Sequence, residues 1–302
     1  MTKNLVMGFA TNQNEHSMRV FTQSLRRVYD PTACDIVIIT NRYENYFRDL
    51  SLQTGTIFVS TSNNYSKKTG RVSKAINRTV LNTMRFLARF KGLDRFAPEI
   101  AASYPVLMEN WHHPHFVRWF AYERFLSLNR GYDQVLLADV KDVVFQAGFF
   151  CDETPKCVSL FDHDEIYGTS SWDTQWYRDA FGEAELSEIR GKPSVCVGTI
   201  RGDHANVLSL VGELCQFIAR SPFGRIEQAV FNYMLFKGLI QTPYEILPNV
   251  TGPIATLSND GVHQKILTKS GLILRAADES VIPVVHMYDR FDDTREAYRS
   301  FG

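Results

Sequence analysis

The stretch Gln134–Phe145 most narrows the folds open to this chain. A short apolar run, Val135-Leu136-Leu137-Ala138, ends in Asp139. Asp142 follows three positions later, and a second apolar run, Val143-Val144-Phe145, begins at once. A continuous apolar run of that length reads as a strand buried on both faces, the pattern of a parallel sheet covered by helices. Its end delivers two carboxylates to a turn. In open α/β sheets, ligands bind in the crevice outside the carboxyl ends of the strands. Two acids there suit a hard divalent cation, Mg²⁺ or Mn²⁺, and through it a phosphate. An ordinary strand-end turn gives the same pair, because Asp favours turns. The residues alone leave both readings open.

The rest of the chain agrees with an α/β sheet. Leu5–Ala10 is a short apolar strand, and Met18, Phe21 and Leu25 then fall at helical spacing. Asp35–Thr40 reads as a second buried strand and Thr56–Ser60 as a third. A polar loop over Ser62–Gly70 leads to a long helix over Val72–Phe90. Another helix is predicted over about 115–129, with Phe116, Trp119, Phe120 and Leu126 on its apolar side, directly before the Gln134–Phe145 strand. Later strands are predicted at Cys157–Phe161, Ser194–Ile200, Gly271–Leu274 and Val281–His286. Later helices fall near 172–181, 203–219 and 226–239. The βαβα order of the first part argues for a mainly parallel sheet with a Rossmann-like N-terminal half. With no repeat or low-complexity linker, one continuous domain over 1–302 is expected.

Charge and cysteine content exclude several classes. Thirty-three basic and 33 acidic side chains give a formal net charge of zero, so no basic surface argues for a nucleic-acid partner. Five scattered cysteines show no zinc spacing and read as reduced thiols. No apolar run is long enough to span a bilayer, and the N-terminus has no signal-peptide core. A soluble cytoplasmic protein with no integral membrane segment is expected. Gly8-Phe9-Ala10-Thr11-Asn12, at the end of the first strand, is not a dinucleotide fingerprint.

Arg118-Trp119-Phe120-Ala121-Tyr122, followed by Tyr132-Asp133-Gln134 and the run to Asp139-Val140-Lys141-Asp142, resembles the GT-A-fold glycosyltransferases. In those nucleotide-sugar enzymes an aromatic and Arg-bearing helix leads into a strand that ends in an acidic DxD motif. This chain has two residues between its acids, not one. That spacing is closer to a variant with Asp-Val-Arg-Asp at this point. Glu227-Gln228, with Asn232 four positions on, is similar to the Asp-Gln-x-x-x-Asn helix start of glycogenin-like and lipopolysaccharide glycosyltransferase-like enzymes. Here Glu stands where those enzymes have Asp. Read bottom-up, an acid in a first helical turn is also simply a good helix start.

The resemblance implies a set of roles. Asp139, Asp142 and the late His286 would hold Mn²⁺ or Mg²⁺ against a diphosphate. Asp142 is the firmer ligand, and Asp139 can instead reach the ribose or a bound water. Arg118 would reach the phosphates or nucleotide, and Tyr122 shares its helix face. Ala10 and Thr11 lie on the edge that meets base and ribose in the family. Cys196-Val197-Gly198-Thr199-Ile200 resembles the small-residue turn that frames the acceptor side, with Gly198 allowing close approach. Gln228 would lie near the anomeric carbon and Glu227 would bind the sugar. If the enzyme inverts, Glu227 is the first candidate for the base. His263 is a weaker candidate than His286 for the cation, and His112–His115 reads as a loop before a helix.

The implied activity is a metal-dependent hexosyl- or pentosyltransferase of polysaccharide biosynthesis. It would move sugar from a nucleoside-diphosphate sugar to a glycan or other hydroxyl acceptor, with retention favoured. The nucleotide-binding half would span about 1–145 and the acceptor side about 146–302. A nucleotidyltransferase making nucleotide sugars is the alternative enzyme, although its glycine- and lysine-rich N-terminal loop is absent after Leu5–Ala10. A glycan-binding domain without turnover is the non-catalytic alternative.

Overall fold

The computed structural model describes residues 3–11, 13–41, 45–61, 79–80, 82–83, 86, 108–109, 112–169, 171–220 and 226–299. The predicted 62–70 loop, most of the 72–90 helix, and Gly224 and Arg225 lie outside these residues. Residues 79–80, 82–83 and 86 are helical.

The first elements are β1 (Lys3–Ala10), α1 (Glu15–Val28), β2 (Cys34–Thr40), α2 (Asn45–Thr54) and β3 (Thr56–Ser60). Next come α3 (Pro114–Leu128), β4 (Tyr132–Asp139), β5 (Val143–Phe145), β6 (Val158–Ile166), α4 (Trp172–Phe181) and α5 (Glu183–Glu188). They are followed by β7 (Pro193–Asp203), α6 (His204–Arg220) and α7 (Glu227–Phe236). Short elements close the chain: β8 (Tyr244–Leu247), β9 (Ile254–Thr256), α8 (Asp260–His263), β10 (Ile266–Lys269), β11 (Leu272–Arg275), β12 (Val284–His286), a 3₁₀ turn at Tyr288–Arg290, and α9 (Asp292–Ala297).

Seven strands form the main sheet in the order β3-β2-β1-β4-β7-β6-β8. The strands from β3 to β4 are all parallel. β7 runs antiparallel to both β4 and β6, and β8 is parallel to β6. The sheet is therefore mainly parallel, as expected, with one reversed strand beside the β4 acids.

Strict alternation of side chains decides what each face of the sheet covers. Leu5, Met7, Val37, Ile39, Val135 and Leu137 pack with Phe116, Trp119 and Leu126 of α3 and Leu214 of α6. Their neighbours Val6, Ile36, Ile38, Leu136 and Ala138 pack against Met18, Phe21 and Leu25 of α1. Both sets are almost wholly buried, which is why these strands read as continuous apolar runs. α1 is capped by Asn14, whose side chain accepts the Ser17 amide at 2.8 Å. α3 starts with His113 as cap and Pro114 in its first turn, where the missing N–H costs nothing. His115 is thus already helical, not part of a loop.

Two findings depart from the sequence expectation. Cys196–Ile200 lies in the interior of the eleven-residue strand β7, not at a turn. A second, three-stranded sheet in the order β5-β12-β9 packs below the main one, with β12 antiparallel to β5 and parallel to β9. Asn249 supports it by bonding the backbone of Thr256 both ways, at 2.8 and 3.0 Å.

Candidate active site

The turn between β4 and β5 holds both acids. Asp139 is the last residue of β4, and Asp142 directly precedes β5. β12 pairs with β5 so that His286 stands opposite Val143. A strand from the far end of the chain therefore sets its terminal imidazole against the turn. His286 Nε2 lies 3.7 Å from Asp139 Oδ2 and 3.6 Å from Asp142 Oδ1. One donor atom from each of the three residues lies within 4.8 Å of the others.

His286 and Asp142 are buried, whereas the Asp139 side chain is about one-third exposed. The ring of His286 is held on its other side, where Nδ1 sits 3.3 Å from Thr256 Oγ1 and 3.5 Å from Cys196 Sγ. Its Nε2 and Asp142 Oδ1 are buried with no hydrogen-bond partner. Polar atoms left so are costly unless something else satisfies them. Two carboxylate oxygens and one imidazole nitrogen also match what Mn²⁺ or Mg²⁺ accepts. The residues present thus fit a divalent cation. Burial, with the Asp139 charge adding to it, raises the Asp142 carboxyl above the usual range despite the opposing pull of His286. Burial pushes Asp139 the same way, but Arg118 and His286 outweigh it and hold Asp139 low.

Gly198 explains itself here. β7 pairs with β4 through Ala138–Thr199, so Gly198 runs alongside Asp139. A Cβ on Gly198 would stand 2.3 Å from His286 Cε1 and 3.1 Å from Asp139 Oδ2. No larger residue fits while His286 keeps its place.

Arg118 binds the site from the α3 side. Its guanidinium pairs with Asp139 through Nη1, donates to the Val197 carbonyl at 3.2 Å, and lies 3.3 Å from Glu227 Oε1. Burial works against its charge, but Asp139 and Glu227 more than restore it. The other oxygen of Glu227 meets His115 Nδ1 at 3.0 Å. Burial would raise the Glu227 carboxyl, yet His115 and Arg118 keep it below its ordinary value.

A neighbouring network centres on Asp173. Asp173, near the start of α4, meets His163 Nε2 at 2.5 Å and accepts from Gln228 Nε2 at 2.8 Å. The Gln228 amide is thereby oriented, with nitrogen on Asp173 and oxygen turned away from it. Behind it, Asn232 Nδ2 donates to the Gln228 carbonyl at 2.9 Å and clamps both backbone groups of Val195 at 2.9 Å. The helix start singled out in the sequence is thus bolted to β7 and α4.

The residues that carry these charged and amide groups, apart from Asn232, line one cleft of about 750 Å³. It collects Arg118, Asp139, Asp142, Gly198, Glu227, Gln228 and His286 from the predicted set. Tyr122 is not in its lining: it is buried beside Trp119 and reaches the Phe9 backbone. Ala10 packs in the core on the α1 side, and Thr11 follows at the end of β1; neither lines the cleft. His263 pairs with Asp293 at 2.9 Å and stacks on Phe291, outside the cleft. The cleft also contains His115, which the sequence placed in a loop before a helix, and four residues that sequence reasoning missed: His163, Asp173, Trp172 and Trp176. Of these four, only the two Trp, four apart on a predicted helix, carried a signal of their own.

No protein-family model matches this sequence, and no curated protein matches it either. Solved structures do resemble it. One is an active-site mutant of LgtC, 10% identical over 98% of this chain and 93% of that one, with a TM-score of 0.51. The galactosyltransferase LgtC in complex with donor and acceptor sugar analogues is 11% identical over 98% and 93%, with a TM-score of 0.49. The glycosyltransferase GlyE of Streptococcus pneumoniae TIGR4 is 11% identical over 99% of this chain and 61% of that one, with a TM-score of 0.48. The first likeness shows the architecture: this chain has a GT-A-type fold. Among the described residues, no helix is long and apolar enough to cross a membrane. All five cysteines are free.

Proposed function

We propose that this protein is a glycosyltransferase that takes sugar from a nucleoside-diphosphate sugar and passes it to a glycan hydroxyl, using Mn²⁺ or Mg²⁺. The observation that carries this reading is the convergence of Asp139, Asp142 and His286, two of them with buried atoms lacking a partner, at the carboxyl end of β4. These three residues would hold the cation. When bound, it supplies positive charge against a leaving diphosphate.

The chain's own residues would supply the rest. Arg118, kept protonated by Asp139 and Glu227, adds a fixed charge that costs no reorganisation when the diphosphate departs. Gln228 presents its amide oxygen to the sugar because Asp173 holds the nitrogen. Glu227 spends its two oxygens on His115 and Arg118. That makes it a poor proton acceptor, so in this proposal it positions Arg118 and the donor sugar. The same pairing favours retention, since inversion would need a free base at the acceptor. Gly198 leaves the room between Asp139 and His286 open. A cytoplasmic location and a single domain over 1–302 belong to this proposal.

A thermal-shift panel of UDP, GDP and their sugar conjugates, with and without Mn²⁺, tests it. Binding at about a hundredfold excess over Kd stabilises by about 2.7 kcal/mol. One nucleotide should raise the melting temperature only when Mn²⁺ is present, and the matching nucleotide sugar should be hydrolysed slowly. No cation-dependent shift with any nucleotide would remove the proposal.

A further inference from the structure

We infer that Trp172 and Trp176 form a stacking floor for a neutral saccharide, which makes the acceptor of the proposed transfer a pyranose-based glycan. The inference rests on the transferase reading for the word acceptor, but the saccharide site itself is argued from α4 alone.

α4 has two faces of opposite character. Asp173, Thr174 and Tyr177 are buried, and Tyr177 packs on Tyr167 and Phe181. Ser171 caps the helix by accepting the Thr174 amide at 3.3 Å. Asp173 ties it to His163 and Gln228. The helix is therefore fixed in place from one side. Trp172 and Trp176 stand on the other side, one turn apart. They are 75% and 37% exposed, yet both line the cleft. Large aromatic surface left in water forgoes its burial energy, so a contiguous exposed pair calls for an occupant.

The geometry selects the occupant. The two indoles lie 6.4 Å apart and are tilted by 34°, side by side and not stacked face to face. Ring faces are thus available for a flat apolar partner. The same cleft is lined by the carboxylates of Asp179, on the same helix, and Glu165, at the end of β6, each of which already accepts one side-chain hydrogen bond, from Gln175 and Asn259. Such acids repel phosphate and accept hydroxyl protons. A pyranose presents an apolar C–H face and a rim of hydroxyls, and so satisfies both demands. Trp172, Trp176 and Gln228 line the same cleft, so a saccharide on this floor would share that cleft with the residue proposed to meet the donor sugar.

The test titrates the donor-free protein with lactose, cellobiose, chitobiose and maltotriose, following the indole N–H resonances and Trp fluorescence. At least one sugar should shift both indole signals. Binding should disappear in the W172A/W176A double variant and survive, weakened, in W172F/W176F. Both positions are exposed, so the fold should hold, and metal-dependent nucleotide binding should be unchanged. In a transfer assay the acceptor KM should rise roughly tenfold in W172A, the scale of losing one Trp anchor, with donor hydrolysis unaltered. Absence of any shift with all four sugars, or equal binding by the double Ala variant, overturns the inference. Failure of donor hydrolysis in the wild type would instead count against the transferase reading, and the sugar titration would still decide on the floor.

Discussion

Two neighbouring parts of the cleft use the same kinds of side chain and treat them in opposite ways. At Asp139, Asp142 and His286 the polar atoms converge at 3.6–3.7 Å, and two buried ones bond to nothing. At Asp173 the carboxylate is used on both sides, by His163 and by Gln228. Both regions are buried and both contain a His beside an acid. The first is held together from outside, by Arg118, Thr256 and Gly198, and is unsatisfied inside. The second has its carboxylate paired on both oxygens and serves as a brace, with only His163 Nδ1 left without a hydrogen-bond partner. Unsatisfied donors gathered at one point mark where a ligand belongs; satisfied ones mark what keeps its neighbours still.

Arg118→Ala should have the largest effect, because Arg118 joins Asp139 of the first part to Glu227, the neighbour in sequence of Gln228 of the second. It strips the counter-charge from Asp139 and Glu227, and breaking such a buried pair costs about 3–5 kcal/mol. Urea denaturation without metal would show the loss, and Mn²⁺ should recover part of it by compensating Asp139. If Mn²⁺ recovers nothing, the two regions are not distinguished in the way described. Asp142→Asn comes next. Cation-dependent nucleotide affinity should fall about a hundredfold or more, beyond the effect of an outer partner. Cation-free stability should stay level or rise, because a buried acid is relieved of Asp139. A variant that unfolds would show Asp142 to be a brace after all.

Gly198→Ala is a middle case. Its Cβ collides with His286, so the ring must shift. Cation affinity measured by calorimetry should drop about tenfold, the lower range for residues behind the ligands, while nucleotide-free melting changes little. Gln228→Ala should lower kcat more than donor affinity. Equal loss in both would assign Gln228 to binding alone.

The smallest effect is on pH dependence. Asp142 has a raised carboxyl pKa in the folded protein. A folded acid that holds its proton longer than the unfolded one contributes less stability as pH rises from about 4 towards neutrality. Wild-type cation-free stability should therefore lose part of its value over that window, and Asp142→Asn should flatten the loss. The same proton competes with the cation, so cation affinity should weaken as pH is lowered.

Much of this was written locally in the sequence. β1, β2 and β4 stood out because burial on both faces makes them continuous apolar runs, and α1 and α3 because of their spacing. Asp139 and Asp142 stood out because acids interrupt such a run. β9 did not: three buried residues carry no period. Val143–Phe145 stood out as an apolar run and Val281–His286 as a late strand, but the pairing of β12 with β5 depends on contacts far apart in sequence. Gly198 was read as part of a small-residue turn, by resemblance, with room for a ligand; the reason for it is His286, which no local pattern contains. Asp173 was not singled out, because its partners His163 and Gln228 lie on other elements. The role of Tyr122 rested on sharing a face with Arg118, but the helix meets the core as well as the cleft along that face.

The pairing of β12 with β5 has a temporal consequence. His286 follows Asp139 by nearly half the chain. Such a long-range closure is slow compared with the local βαβ pairing of the first strands. A growing or truncated chain that stops short of β12 would have the parallel sheet, the two acids and Arg118, but not the imidazole that completes the cluster. In the proposed reading, full cation capture would therefore report that β12 has docked. The chain would hold its cation tightly only after its own assembly is finished.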